Sequence, residues 1–186
     1  MPYALVLTFD ARSEENIRRL WDGIADAKLS VALRDGGAIP HISLAVFREL
    51  PDPVELIDAL DRLQAPQLVL TLGHIGVFPG EEGVVFAGAT LTEELLELHR
   101  TVHALLEGRV GELRGYYLPG QWVPHVTLAI RLDARERGAA IRWLLNPPVG
   151  YPSWPLKARC VSVTLLELPS DRRISRTLLA PPEKAV

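Results

Sequence analysis

Cysteine is almost absent from this chain of 186 residues, because Cys160 is the only one. An intrachain disulfide is therefore excluded, and a reducing compartment is favoured. Cys160 lies in an apolar run, where we expect a small buried hydrophobic residue and not a nucleophile. Long hydrophobic runs are also missing, so no segment approaches the length of a membrane span. The apolar run at 3–9 is short and has no basic lead-in, so we expect no targeting signal and a cytoplasmic location.

The chain has no excess of positive charge, because 20 Lys and Arg residues stand against 23 Asp and Glu residues, for a net charge of −3. Proteins that grip long nucleic acids through many phosphates are usually basic. Any anionic ligand should therefore be small, or be held by a local basic pocket. The sequence also contains no P-loop, no Rossmann glycine pattern and no nucleophile elbow.

What the sequence does contain is an internal repeat. Residues 40–46 read PHISLAV and residues 124–130 read PHVTLAI, with four identical positions and three conservative exchanges. The flanking segments repeat as well, and the order strand–helix–strand–helix–strand is predicted twice. Ser13 is predicted to cap the first helix. An additional hairpin strand is expected near residues 176–179.

This duplication predicts an α+β fold with one bilobal domain spanning residues 1–186. The internal repeat divides it at approximately 1–80 and 81–186. The two strand-helix-strand-helix-strand units are expected to be related by a pseudo-twofold axis, with a central cleft between the motif strands.

The repeated His-x-Ser/Thr pattern indicates chemistry. Residues i and i+2 of a strand point to the same face, so His41 projects with Ser43, and His125 projects with Thr127. A single pattern of this kind is usually a hydrogen-bonded structural histidine. Two copies facing one cleft favour general acid–base catalysis by His41 and His125, because the pKa of histidine lies near neutrality. Ser43 and Thr127 could then donate hydrogen bonds to phosphate oxygens.

On these motifs the chain resembles the 2H phosphoesterases, and within them the 2′-5′ RNA ligase / RNA 2′,3′-cyclic phosphodiesterase group. The resemblance also covers Gly76-Val77-Phe78-Pro79 and the segment from residue 84 to residue 99. It implies a bilobal fold with a central cleft and hydrolysis of 2′,3′-cyclic phosphate ends of RNA or nucleotides, often to a 2′-phosphate. It implies that His41 and His125 are acid and base, that Ser43 and Thr127 bind phosphate, and that neither metal nor cofactor is used.

The chain departs from this group at two places. Ser43 stands where threonine is commoner, a change that keeps the hydroxyl. Many relatives have an arginine directly after Thr-Leu-Ala, but here that position is Ile130, and Arg131 comes one residue later. Further candidates for substrate binding lie in the loops before the motifs, where aromatic rings could stack on a base and arginines could reach a phosphate. They are Arg34, Arg114, Tyr116, Tyr117 and Trp122, together with Arg131.

The remaining histidines have simpler interpretations. His99 and His103 have the i, i+4 spacing that can bind zinc on a helix, but no third ligand lies nearby. A solvated helix face is therefore expected there, and no metal site. His74 is expected to be structural. The basic residues Arg172, Arg173 and Arg176 are expected to form a solvated turn.

The sequence is compatible with three functions: a cyclic phosphodiesterase, a 2′-5′ RNA ligase, and a non-catalytic binder of RNA ends or nucleotides. The expected partners are RNA 3′ ends or small cyclic nucleotides, with no membrane, and the protein is expected to be a monomer.

Overall fold

The computed structural model describes residues 2–80 and 83–181, and the strands and helices follow the predicted order. The strands are β1 (Tyr3–Phe9), β2 (His41–Phe47), β3 (Leu68–Val77), β4 (Val85–Ala89), β5 (His125–Ala129), β6 (Leu156–Glu167) and β7 (Arg172–Leu178). The helices are α1 (Ala11–Asp26), α2 (Ala32–Asp35), α3 (Pro53–Asp61), α4 (Glu93–Leu106) and α5 (Ala134–Leu145). The α+β fold with a twice-repeated strand-helix-strand-helix-strand unit is confirmed, and β7 is the additional hairpin strand.

The start of α1 corrects one detail of the prediction. Asp10 caps the helix, because its carboxylate accepts a hydrogen bond from the backbone N–H of Ser13. The predicted cap, Ser13, lies inside the first turn, where its buried hydroxyl accepts a hydrogen bond from the backbone N–H of Arg159 on β6. Asp10 follows β1 directly, so the chain enters the helix as soon as the strand ends. The equivalent cap of α4 is Thr92, as predicted.

All strand pairs are antiparallel, and the strand order is β2-β1-β6-β3-β4-β5, with β7 pairing with β6. The two halves of the chain exchange their last strands. β6, from the second half, pairs with β1 of the first half, while β3 pairs with β4 of the second half. β3 and β6 also pair with each other through their first residues. The two lobes are therefore interlocked, since each is completed by a strand from the other half.

The helices cover one face of the strands and form one continuous apolar core with them. Leu5, Leu7, Ile42 and Leu44 are fully buried against this core. The core cluster continues through β4, β5 and β6 and includes residues of both halves. Because strand residues alternate between faces, the motif side chains at positions 41 and 43 point to the opposite face. Helix packing therefore fixes which face can form a cleft.

Within the described residues, every helix is too short or too polar to cross a lipid bilayer.

Candidate active site

The two motifs lie on β2 and β5, and both strands have a β-bulge at the same place. In β2 the residue without a register partner on β1 is Leu44, and in β5 the residue without one on β4 is Leu128. Each leucine directly follows the hydroxyl residue of its motif, Ser43 or Thr127. Bulges bend a strand and re-aim its side chains, so the shared irregularity orients both motifs in the same way.

The two imidazoles have matching hydrogen bonds. His41 Nδ1 lies 2.6 Å from the carbonyl oxygen of Ile39, and His125 Nδ1 lies 2.7 Å from that of Val123. A carbonyl oxygen can only accept, so Nδ1 is the protonated nitrogen in both rings. In a neutral ring this leaves the lone pair on Nε2, the nitrogen directed away from the ring's own backbone. Both histidines are therefore fixed in the tautomer that can take up or release a proton at Nε2.

The motif strands meet although they stand at opposite ends of the sheet order. β2 and β5 lie beside each other, and a positive charge on His41 lowers the pKa of His125. No described protein group hydrogen-bonds to either Nε2 or to the hydroxyl of Ser43 or Thr127. All four side chains are half-buried. Two imidazole Nε2 atoms and two hydroxyls thus lie on neighbouring strands, without a hydrogen-bond partner among the described residues.

His125 has the more apolar surroundings of the two. The ring of Phe78 contacts it edge-on with centroids 4.8 Å apart, and the ring of Phe86 lies 5.1 Å away. Burial lowers the pKa of His125 below its ordinary value, although the Nδ1 hydrogen bond to Val123 opposes the shift, and the charge on His41 lowers the pKa further. The neutral, proton-accepting form of His125 is therefore favoured.

Ring N–H groups from the other half of the chain bind the carbonyls of both motif strands. Trp21 Nε1 on α1 donates to the carbonyl of Thr127 at 3.0 Å, and Trp122 Nε1 donates to the carbonyl of Ser43 at 2.8 Å. An unsatisfied carbonyl at these positions would cost about 1–3 kcal/mol. These bonds hold the backbone of each motif hydroxyl against the opposite half.

His99 and His103 take part in the same arrangement, so the expectation of a solvated helix face is wrong. His99 is 2% exposed and stacks on Trp122 with ring centroids 4.0 Å apart. Its Nε2 donates to the carbonyls of Leu44 and Tyr117, and His103 Nε2 also donates to Leu44. Leu44 is the bulged residue, and the two imidazoles satisfy its carbonyl. The i, i+4 spacing places both rings on one face of α4, and in the structure both contact the same backbone oxygen.

The two lobes present different surfaces beside the histidines. On β1, Thr8 pairs with His41, and on β6, Ser162 pairs with Thr8. In the other lobe the corresponding row runs from His125 through Gly88 to His74. The ring of His74 lies over Gly88 in the space that a Cβ would occupy, so a larger residue at position 88 would displace this ring. His74, expected to be structural, is exposed on the same face as His125.

The residues predicted from the loops differ in their surroundings. Arg34 is exposed and pairs with Asp35 at 2.8 Å and with Asp26 at 3.3 Å, and its hydrogen bond to Asp35 raises its pKa. Trp122 is buried, stacks on His99 and donates to the carbonyl of Ser43. Tyr116 is 84% exposed, whereas Tyr117 is half-buried against the cluster of Ala4, Val6, Val46 and Leu166. Arg114 donates its backbone N–H to the carbonyl of Val46. Arg131 follows β5 and has a φ of 60°. Their contribution to substrate binding stays a prediction.

The described residues contain no group of three or more His, Cys, Asp or Glu side chains that could hold a metal ion. Cys160 is fully buried, and burial raises the pKa of its thiol, as expected for a hydrophobic core residue.

Comparison with known proteins supports one family. The model of the 2′-5′ RNA ligase superfamily matches residues 9–172. Among solved structures, TT0787 of Thermus thermophilus superimposes with a TM-score of 0.65 at 18% identity, covering 97% of this chain and 99% of that one. E. coli LigT superimposes with a TM-score of 0.62 at 17% identity, covering 96% of this chain and 97% of that one. No curated protein sequence matches this chain. The structural matches confirm the fold.

The surroundings of His125 lead to a prediction that needs no substrate. NMR titration of the ring protons should give His125 a pKa below 6.5. Phe78→Ala should raise that pKa, because water replaces the apolar ring. His41→Gln should raise it as well, because it removes the neighbouring charge.

Phe78→Leu is the matched control, since it retains apolar bulk and should leave the pKa close to that of the wild type. A wild-type His125 pKa at or above 6.5 would contradict the described environment.

The second prediction concerns stability. Burial lowers the pKa of His99 to about 4, below the value of about 6.5 in an unfolded chain. The unfolded chain therefore binds this proton more readily, and stability is lost as the pH falls from about 6.5 toward 4. The free energy of unfolding measured in urea should be about 2 kcal/mol lower at about pH 5 than at about pH 7 because of His99. His99→Gln should abolish this difference.

His103→Gln, on the same helix, should retain most of this pH dependence. An unchanged pH dependence in His99→Gln would show that His99 is not buried in its neutral form.

Proposed function

The chain belongs to the 2′-5′ RNA ligase superfamily, and on that basis we propose that it is a metal-independent phosphodiesterase that hydrolyses 2′,3′-cyclic phosphate ends of RNA or nucleotides. The observation that carries this proposal is the matched pair of imidazoles, His41 and His125. Each is fixed by an Nδ1–H bond to a carbonyl two residues earlier, and each has an unpartnered Nε2. Acid–base catalysis of a displacement at phosphorus needs two such groups on opposite sides.

In this mechanism a water molecule attacks phosphorus while one neutral imidazole accepts its proton at Nε2. The bond from phosphorus to the ribose 3′ oxygen breaks, and the opposite imidazolium donates its Nε2 proton to that oxygen. The product is a 2′-phosphomonoester with a free 3′ hydroxyl. One proton is taken up and one is released, so the two histidines exchange protonation states in each turnover.

We assign the general base to His125 and the general acid to His41. Phe78 and Phe86 surround His125 and favour its neutral form, which is the form a base needs at the start of the reaction. The charge on a protonated His41 acts in the same direction. This asymmetry follows from the rings of Phe78 and Phe86, since among the described residues no aromatic ring contacts His41. The position of Phe86 beside Thr127 is taken in the other lobe by Val6 beside Ser43.

Ser43 and Thr127 are proposed to donate hydrogen bonds to the non-bridging phosphate oxygens, where negative charge increases in the transition state. Their backbones are held by Trp122 and Trp21, so the donors are positioned before the substrate binds. E. coli LigT, which shares the fold, has been crystallised with phosphate and with 3′-AMP. These ligands are consistent with a nucleotide or an RNA 3′ end as the partner of this chain. We further propose that the protein acts as a cytoplasmic monomer.

A second candidate is 2′-5′ RNA ligase activity, which the name of the superfamily favours. The same four side chains could serve if a 5′ hydroxyl of RNA replaced water as nucleophile. Incubating a cyclic-phosphate-ended oligonucleotide with and without a 5′-hydroxyl acceptor separates the two reactions. A joined 2′-5′ product would identify a ligase, whereas a 2′-phosphate alone would identify a hydrolase.

The catalytic roles predict the effects of substitution. His41→Gln and His125→Gln should each lower kcat for a nucleoside 2′,3′-cyclic phosphate by roughly 10²–10⁴-fold, because each removes one proton-transfer step. Ser43→Ala and Thr127→Ala should each lower kcat by roughly 10²–10³-fold. The measurement is product formation by chromatography, with circular dichroism to check that each variant is folded.

His74→Gln is the matched control and should keep the kcat of the wild type, because this histidine lies on the same face and has no proposed proton-transfer role. Retention of full turnover by both His41→Gln and His125→Gln would favour the third possibility, a non-catalytic binder.

The metal-independent mechanism makes a separate prediction. Prolonged dialysis against EDTA should leave kcat unchanged, because protons and hydroxyl donors suffice for the reaction. Loss of activity that Mg²⁺ or Zn²⁺ restores would overturn the mechanism.

A further inference from the structure

Three hydroxyl side chains are buried on the face of β1 and β6 that carries His41. Thr8 is 4% exposed, and Ser162 and Thr164 are 0% exposed. Thr8 is hydrogen-bonded to both of the others. Burying hydroxyl groups in a sheet costs free energy unless they are hydrogen-bonded. The network satisfies these groups and gives this lobe a polar floor, whereas the corresponding row of the other lobe contains Gly88 and His74.

Arg176 is anchored to this network from β7. Its Nε donates to the hydroxyl of Ser162 at 3.0 Å, so this end of the guanidinium is held against the sheet. Arg176 is exposed, and in the described part of the chain it forms no ion pair. On the same strand, Arg172 is paired with Glu167 at 2.7 Å. Arg176 is therefore a positioned cation whose terminal nitrogens have no carboxylate partner.

The register places Arg176 within reach of the motif histidines. Ser43, Val6, Thr164 and Arg176 form one row across four strands. The anchor of the guanidinium, Ser162, is in the neighbouring row with His41 and lies two strands away from it. Two strand spacings amount to about 10 Å, and the side chains of His41 and Ser162 extend from the same face of the sheet. A nucleotide whose cyclic phosphate lies between the histidines could therefore extend toward Arg176.

We propose that Arg176 binds the 5′ phosphate of the nucleotide that carries the reacting cyclic phosphate, and that it makes the protein select substrates with this second phosphate. The inference rests on the proposed function for the position of the first phosphate. A guanidinium suits the role because its planar fork gives paired charge-assisted hydrogen bonds to a phosphate. The second phosphate is either a 5′ monophosphate on a mononucleotide or the internucleotide phosphodiester of an RNA end.

Equilibrium binding tests this without turnover. Calorimetry would compare adenosine 2′-monophosphate with adenosine 2′,5′-bisphosphate, and with a diadenylate that ends in a 2′-phosphate. The wild type should bind at least one of the two-phosphate ligands roughly tenfold more tightly than the monophosphate. Arg176→Gln should lose that advantage, and its affinity for the monophosphate should change much less. The two-phosphate ligand that shows the advantage identifies the source of the second phosphate.

Arg172→Gln is the matched control, since it removes the same charge from the same strand and should keep the preference. Arg176→Lys should keep only part of it, because lysine cannot form the paired contact. Equal affinity of the wild type for all three ligands, or a preference that survives in Arg176→Gln, would overturn the proposal. Because no step requires hydrolysis, this outcome is distinguishable from failure of the proposed enzymatic activity.

Discussion

The candidate site depends on backbone carbonyls of the two motif strands that are bound by rings from the opposite half of the chain. β2 and β5 stand at the two ends of the strand order, and the bulge in β2 leaves the carbonyl of Leu44 without a ladder partner. Four ring nitrogens, on Trp21, Trp122, His99 and His103, bind carbonyls of the two motif strands. Without them, polar backbone groups would be buried unsatisfied, and the two strands would lack their mutual alignment. The geometry of the histidine pair is therefore a consequence of contacts between the halves.

The candidate site is symmetric in its two imidazoles and asymmetric in their surroundings. The Nδ1 bonds of His41 and His125 match almost atom for atom, as do the bulges that follow. The neighbouring rows differ, because one lobe has Thr8 and Ser162 where the other has Gly88 and His74. The rings of Phe78 and Phe86 add a second difference, because they contact His125 and no aromatic ring of the described residues contacts His41. Two chemically identical side chains therefore have different surroundings.

Much of the fold and the central part of the site could be predicted from the sequence. The alternation of side chains along a strand placed His41 with Ser43 and His125 with Thr127, and the repeat indicated that these pairs belong together. The predictions were weaker where a residue's partner is distant in the chain. The acidic turn after Ser13 predicts that this residue caps the helix, but its hydroxyl accepts a hydrogen bond from the backbone N–H of Arg159. His99 was expected to be solvated because its own helix gives no sign of the strand that covers it.

The sequence by itself determined the duplicated motifs, the α+β order of elements and the face on which each motif histidine lies, because these depend on local periodicity and on covalent neighbours. Only the tertiary structure decided the exchange of β3 and β6 between the lobes, the meeting of β2 with β5, and the anchoring of Arg176 on Ser162. These features arise from packing and hydrogen bonds between residues far apart in the chain, which no local pattern encodes.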